Sequence, residues 1–374
     1  MLATQPTSYG TLVRKWPEND LHDKMMIARI SQLRTIVVRH DIRVEPRHRP
    51  DADCANDIGV AQMDLAWRQQ DRIDCHVHVF DPERFPYVPD APFRPQGGEI
   101  ATAKYLRAML DAYNVSHALI VGPNSGYSFD NRCMLDALAQ GAGRYKGVAV
   151  LRSNTGRDEL QELQAQGVIG AAFQVALYGT DFYADIEPLL MRLRDLDMWA
   201  DVQVREDQLK ILKPMLESSG VKLMFDHCGR PNPQRGVGQP GFLELLSLAS
   251  TGRAVVKLSS FAKTSSQPFP YEDVRPFVRA LIEAYTPQAL VWASDWPFLR
   301  PSHRVDYGPL LAMFEQLVPN DADRHAIQWQ TPRKLFRFGA RSIAEADRIY
   351  RKSSNSKTAQ AQGECLRSEP ANRE

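Results

Sequence analysis

A closed parallel (β/α)8 barrel is the fold class this sequence predicts, on three observations. Eight short apolar runs recur at 72–80, 117–123, 145–151, 171–177, 199–204, 221–228, 253–260 and 289–296, each of the usual length for a strand. Segments with helical periodicity alternate with them, and apolar strands without a polar face need helices on both sides. Three of the runs carry ionisable groups at their ends: His76 and His78, His227, and Asp295. An open doubly wound sheet would put a glycine-rich phosphate turn after its first strand, and here "DPERFPYVPDAPFRPQGGE" stands there instead.

Taken in order, residues 1–70 read as a poorly ordered extension. Lys24 to His40 could form an amphipathic helix, but Pro46, Pro50 and a polar run follow, so nothing holds it to a core. Met63 lies just before the organised part and is a candidate start for the natural product. The first strand, "RIDCHVHVF", places His76 and His78 on one face, since residues two apart on a strand point the same way. Alternation turns Cys75 away from that face, as it does Cys228 beside His227, and a packed thiol is the expectation for both.

A long proline-rich loop from Asp81 to Gly98 carries Tyr87 and Arg94 and is a candidate lid. "AKYLRAMLDAYN" then has Leu106, Met109, Leu110 and Tyr113 at helical spacing. "DIEPLLMRLRDLD" and "DQLKILKPMLESSG" repeat the pattern, the latter with Gly220 as its C-cap. Segments 308–318 and 321–337 supply the eighth helix and a terminal cover. The catalytic barrel is expected over 71–340, with 341–374 a polar disordered tail.

Composition narrows the function. With 43% hydrophobic residues, 24% charged residues and a net charge of +1, no field attracts nucleic acid or an anionic membrane. The five cysteines are scattered, without C-x-x-C spacing, which argues against a disulfide framework and a structural zinc site and makes the cytoplasm the expected location. No run reaches a membrane span and no signal pattern opens the chain. A small-molecule substrate is the expected partner, and a homo-oligomer is compatible with all of this.

Groups at the carboxyl ends of barrel strands converge on one mouth, so His76, His78, His227 and Asp295 are expected to meet there. The His-x-His strand, "DHCGRP" and "WASDWPF" together resemble the amidohydrolase superfamily, in particular its branch of 2-pyrone-4,6-dicarboxylate lactonase and related sugar lactonases, over about 74–338. The resemblance implies a distorted (β/α)8 TIM barrel and hydrolysis of a lactone, ester or amide.

Many members of that superfamily bind one or two divalent metals and need a bridging carboxylated lysine or glutamate for the second. Gln174 and Gln203 stand where those further ligands would be expected, so the bridge is absent. His76, His78, His227 and Asp295 could still hold one zinc, but the branch resembled works without metal, and no cofactor is favoured. Asp295 is then the general base for water, with the three imidazoles polarising the carbonyl.

"GPNSGYSFDNR" resembles the family's substrate loop and makes Asn124, Ser125 and Tyr127 candidate contacts; a polar turn ending in a helix cap at Asp130 or Asn131 fits equally. Lys263 takes the place of an arginine that binds a substrate carboxylate, and Tyr87 and Arg94 complete the candidate set. Where the dicarboxylate pattern reads roughly Arg-Gly-x-Arg, this chain has Ile169, Gly170, Ala171 and Ala172. Two cations are gone, which favours a substrate with at most one carboxylate; Arg152 and Arg230 are candidates to compensate. A decarboxylase or isomerase on the same barrel is the alternative reaction, and a non-catalytic metabolite-binding barrel a third reading.

Overall fold

The computed structural model describes residues 71–339. The expectations for the N-terminal extension and for the polar tail lie outside the described residues. Eight parallel strands form one sheet in sequence order: β1 (Arg72–Val77), β2 (Val115–Val121), β3 (Tyr145–Val150), β4 (Val168–Phe173), β5 (Trp199–Val202), β6 (Lys222–Phe225), β7 (Ala254–Leu258) and β8 (Leu290–Trp292). A helix follows each strand: α1 (Ala103–Ala112), α2 (Arg132–Gly141), α3 (Arg157–Ala165), α4 (Glu187–Asp195), α5 (Gln208–Ser219), α6 (Pro240–Ser247), α7 (Arg275–Tyr285) and α8 (Tyr307–Leu317). This is the (β/α)8 barrel that the alternating pattern predicts. Among the described residues no helix is long and apolar enough to cross a membrane.

Two apolar layers hold it. One lies inside the barrel, where Ile73, Leu119, Val148, Trp199, Met224, Val255 and Val291 meet Phe336 and Phe338 from the C-terminal cover. The other lies between sheet and helices and takes the buried stripes, such as Leu106, Met109 and Leu110 of α1. Gly220 ends α5 in the left-handed conformation at φ 69°, as its position predicts. Gly170 on β4 has no room for a side chain, because a Cβ there would stand 2.4 Å from the Trp199 carbonyl oxygen.

Several strands stop earlier than their apolar runs. β4 starts at Val168 and ends at Phe173, and Val175–Tyr178 is a helical turn rather than strand. β6, β7 and β8 end at Phe225, Leu258 and Trp292, so His227 and Asp295 sit beyond the ladders. Both curl into the left-handed region, at φ 55° and 63°, a costly conformation for residues with a Cβ. Bonds from Arg230 N to His227 O (2.9 Å) and from Phe298 N to Asp295 O (3.0 Å) hold the two turns.

β1 also departs from strict alternation. Cys75 packs in the inner layer with Ile73, yet His76 beside it points inward as well, to Asp226 and Lys257. The pairing of β1 with β2 shifts between Asp74 and Val77, and this irregularity lets two consecutive side chains face the barrel interior. Cys75 is thus packed, as expected, but not on the outer face.

The seam between β8 and β1 closes through few bonds. Asp295 N donates to His76 O at 3.0 Å and His78 N to Trp296 O at 2.9 Å. Buried Asp74 accepts from Ser294 N (3.0 Å) and His76 N (3.2 Å) through Oδ1 and from the Tyr307 hydroxyl (2.8 Å) through Oδ2. Asp74→Ala strands three buried donors at once, so urea unfolding should show a loss of about 3 kcal/mol. A loss under about 1 kcal/mol, the scale of one ordinary hydrogen bond, would show that the seam does not rest on this carboxylate.

Candidate active site

His76 is the last residue but one of β1, His78 follows the strand's last residue, His227 opens the turn after β6, and Asp295 lies three residues past β8. All four are buried, and they surround one point at the carboxyl ends of the strands. His76 Nε2 is 3.3 Å from His78 Nε2. Asp295 Oδ1 is 3.6 Å from His78 Nε2, 3.9 Å from His76 Nε2 and 4.0 Å from His227 Nε2. These last gaps are too wide for direct hydrogen bonds and suit a bridging water or ion.

The two oxygens of Asp295 are not equivalent. Oδ2 accepts from the Ser260 hydroxyl at 2.8 Å and from the Lys263 ammonium at 2.9 Å, so Oδ1 is left to face the imidazoles. Burial works against ionisation of Asp295, but the charge of the Lys263 ammonium leads the interactions that overcome it and hold the carboxyl well below the usual range. Burial pushes His227 down to about 3 and lowers His76, so both rings are neutral near pH 7.

Ring partners set the direction of each imidazole. His78 Nδ1 is 2.8 Å from the Val121 carbonyl, which can only accept, so the neutral ring carries its hydrogen on Nδ1 and presents a bare Nε2. His227 Nδ1 is 2.8 Å from the Ser259 hydroxyl, which can donate or accept, so this ring can carry its hydrogen on Nε2 with the hydroxyl donating to Nδ1. His227 is therefore able to donate to a carbonyl oxygen, whereas neutral His78 accepts. The sequence reading, in which all three rings donate, does not follow from this arrangement.

Below lies a charged layer that sequence reasoning did not single out. Lys257 Nζ is 2.6 Å from Asp201 Oδ2, 2.9 Å from Asp226 Oδ1 and 3.2 Å from His76 Nδ1, and His76 Nδ1 is 3.0 Å from Asp226 Oδ1. Burial and the charge of Asp226 raise Asp201, while burial of Lys257 is outweighed by the two carboxylates, which keep the ammonium charged. The signal was present: a lysine in "AVVKL" and an aspartate in "WADV" interrupt otherwise apolar runs.

A cavity of about 640 Å³ opens above, lined by His78, His227, Asp295, Asn124, Ser125, Gln174, Gln203, Arg205, Arg230, Lys263, Arg300 and His303 among others. Asn124 and Ser125 thus reach it, as does Lys263, which is engaged with Asp295. Tyr127, Tyr87 and Arg94 are not in its lining. The Tyr127 hydroxyl accepts from Asp81 N at 2.9 Å and its ring packs on Phe80 and Tyr87. Tyr87 donates to the Pro95 carbonyl at 2.9 Å and Arg94 to that of Pro89 at 2.6 Å, so these residues fold the proline-rich loop on itself. Arg152 lies over the Phe129 ring and is absent from the cavity wall, while Arg230 is in it.

The donor set suits a single divalent cation. His76, His227 and Asp295 offer ligand atoms within 4.8 Å of one another, and His78 Nε2 lies 3.3 Å from His76 Nε2 and 3.6 Å from Asp295 Oδ1, against the roughly 3.3 Å expected between neighbouring ligands of a tetrahedral zinc. A second donor group, His76, Asp201 and Asp226, has the Lys257 ammonium between its carboxylates and suits none.

The model of the amidohydrolase family matches residues 73–338. The 4-sulfomuconolactone hydrolase of Rhizobium radiobacter is 31% identical over 271 residues, 70% of this chain and 89% of that protein. The 2-pyrone-4,6-dicarboxylate hydrolase of Comamonas testosteroni is 26% identical over 277 residues, 71% of this chain and 89% of that one. A crystal structure from Acinetobacter baumannii, assigned as a 2-pyrone-4,6-dicarboxylic acid hydrolase with citric acid bound, superimposes with a TM-score of 0.64 at 27% identity, covering 71% of this chain and 99% of its own. Motif order, barrel topology and the match across nearly all of the described residues agree, and the chain belongs to the amidohydrolase family.

Proposed function

We propose that this protein hydrolyses a small lactone that carries an anionic substituent. The observation that carries the reading is Asp295 Oδ1, ionised and without a direct hydrogen bond among the described residues, 3.6 to 4.0 Å from three imidazole nitrogens at the floor of an open cavity. A water between Oδ1 and His78 Nε2 has acceptors for both of its hydrogens. Oδ1 takes the proton as the water oxygen adds to the lactone carbonyl. His227 Nε2–H donates to the developing oxyanion. Collapse breaks the ring C–O bond, and the alkoxide takes the proton back from Asp295. An alkoxide leaves more readily than an amide nitrogen, which suits a site without a dedicated strong acid.

The charge of the cavity supports an anionic substrate. Arg205, Arg230 and Arg300 line it, and Asp295, the acidic group in its lining, is already matched by Lys263. The relatives named for lactones with sulfonate or carboxylate groups agree with this. Ala172, buried where the dicarboxylate pattern has an arginine, leaves anion binding to the loop cations after β5, β6 and β8.

His76, His78, His227 and Asp295 would hold a divalent cation, which when bound supplies a Lewis acid and a water of lowered pKa. The resemblance favours water activation by the protein groups alone, so turnover is expected to survive exhaustive chelation, and dialysis against zinc should load one equivalent per chain, read by elemental analysis. Loss of turnover on chelation with recovery on zinc would overturn the metal-free mechanism; two tightly held equivalents would contradict the donor count.

Asp295→Asn should lower kcat on a panel of carboxylated and sulfonated lactones by about 10³-fold, the usual scale for a general base, with the circular dichroism spectrum unchanged. Near wild-type turnover would remove Asp295 from the mechanism. Arg205→Met and Arg230→Met should each raise KM for anionic lactones by about tenfold and leave uncharged ones little affected. Equal losses on both classes would show that neither guanidinium reads the substrate's charge.

A further inference from the structure

We infer that Asp201, Lys257 and Asp226 form a charged platform beneath the cavity that fixes the tautomer of His76, with the hydrogen on Nδ1 and the Nε2 lone pair turned to the reaction mouth. The three side chains come from β5, β7 and the end of β6, are 0 to 1% exposed, and touch no cavity wall. Substrate does not reach them. Burying an ammonium and two carboxylates costs more than an apolar layer of the same volume would, so stability does not account for their presence. What they adjoin is His76, itself fully buried and absent from the cavity wall.

The geometry selects one tautomer. Asp226 Oδ1 is 2.9 Å from the Lys257 ammonium and 3.0 Å from His76 Nδ1. The carboxylate has no hydrogen to give, so a bare Nδ1 at that distance would set two acceptors against each other, whereas Nδ1–H makes a charge-assisted bond. Lys257 spends two hydrogens on Asp201 Oδ2 (2.6 Å) and Asp226 Oδ1, which fixes the rotamer of Asp226 and orients its oxygen to the ring; its Nζ also lies 3.2 Å from His76 Nδ1, a longer contact to a neutral nitrogen that the shorter charge-assisted bond to Asp226 outweighs. Asp201 Oδ1 has no hydrogen-bond partner among the described residues, so Asp201 is engaged through the lysine alone. Asp201 and Lys257 are positioning residues that act through Asp226.

This has a chemical consequence. Neutral His78 also presents a bare Nε2, because its Nδ1 hydrogen is committed to the Val121 carbonyl. Two lone pairs then face each other across 3.3 Å, and a water hydrogen or a cation is drawn between them. The opposite tautomer, with His76 Nε2–H donating to His78 Nε2, would close this gap internally and leave nothing to attract water beside Asp295.

The test is ring-nitrogen NMR of the full chain labelled with ¹⁵N-histidine and freed of metal by chelation, His76 being assigned by the signal lost in His76→Asn. The wild-type spectrum should show a protonated Nδ1 and a bare Nε2. Lys257→Met should populate Nε2–H and lower kcat on the lactone panel by about 10- to 100-fold, the range for partners that orient a functional imidazole, with KM within about twofold. The double variant Lys257→Met with Asp201→Asn removes the ammonium together with the carboxyl group it binds and repeats the test if the single variant does not fold. A wild-type His76 protonated on Nε2, or a ring spectrum unmoved in a folded variant, would overturn the inference. The wild-type spectrum needs no substrate, so although the kinetic arm rests on the hydrolase reading, the two fail separately: an Nε2–H tautomer with intact lactone turnover sinks the platform alone.

Discussion

One backbone hydrogen bond carries more of this structure's function than its energy suggests. Asp295 N donates to His76 O across the seam where the last strand meets the first, and residues 219 positions apart in the chain are thereby held in register. Because both sit at the carboxyl ends of their strands, a slip of one residue in that register would move the carboxylate relative to the imidazoles by about 3.3 Å, as much as the 3.6 Å that separates Asp295 Oδ1 from His78 Nε2. Asp74 pins the same seam from below, with its two oxygens shared among His76 N, Ser294 N and the Tyr307 hydroxyl of α8. Closure of the fold and placement of Asp295 beside the imidazoles are the same event.

Above that seam the barrel changes character in layers. The bottom is apolar, filled by Trp199, Met224, Val255 and the Phe336 and Phe338 plug. Then comes the layer of Asp201, Asp226 and Lys257, then the imidazoles, and last the open cavity with its guanidinium groups. Each layer faces what the one above needs: apolar packing supports a buried ion cluster, the cluster faces His76, and the imidazoles face Asp295 Oδ1. A buried ion cluster is poor evidence for stability, and its position directly under a functional ring gives it a different meaning.

Much of this was legible in the sequence, for identifiable reasons. Strand and helix alternation set the barrel, and His76, His78, His227 and Asp295 stood out as ionisable groups at the ends of apolar runs. The strand ends themselves were misplaced because periodicity does not register a backbone that curls to positive φ, as at His227 and Asp295. Tyr87, Arg94 and Tyr127 looked like substrate contacts because polar and aromatic residues on long loops often are; here their hydrogen bonds go to Pro95, Pro89 and Asp81. Lys257 and Asp201 escaped notice because an ion pair between strands 56 residues apart leaves two isolated charges in two apolar runs, and nothing local joins them.

The role of Lys263 follows from the same accounting of partners. A lysine where the family segment has an arginine reads as a conservative change that keeps a cation for a substrate carboxylate. Its ammonium instead lies 2.9 Å from Asp295 Oδ2, beside the Ser260 hydroxyl on the same oxygen. A compact ammonium can sit on one carboxylate oxygen and leave the other open, whereas a guanidinium fork tends to engage both. Arginine at this position would compete for Oδ1, the oxygen that faces the imidazoles. Lysine thus keeps Asp295 ionised and its Oδ1 open, and under the proposed function the cations left for substrate charge are Arg205 and Arg230 in the cavity lining, beyond β5 and β6.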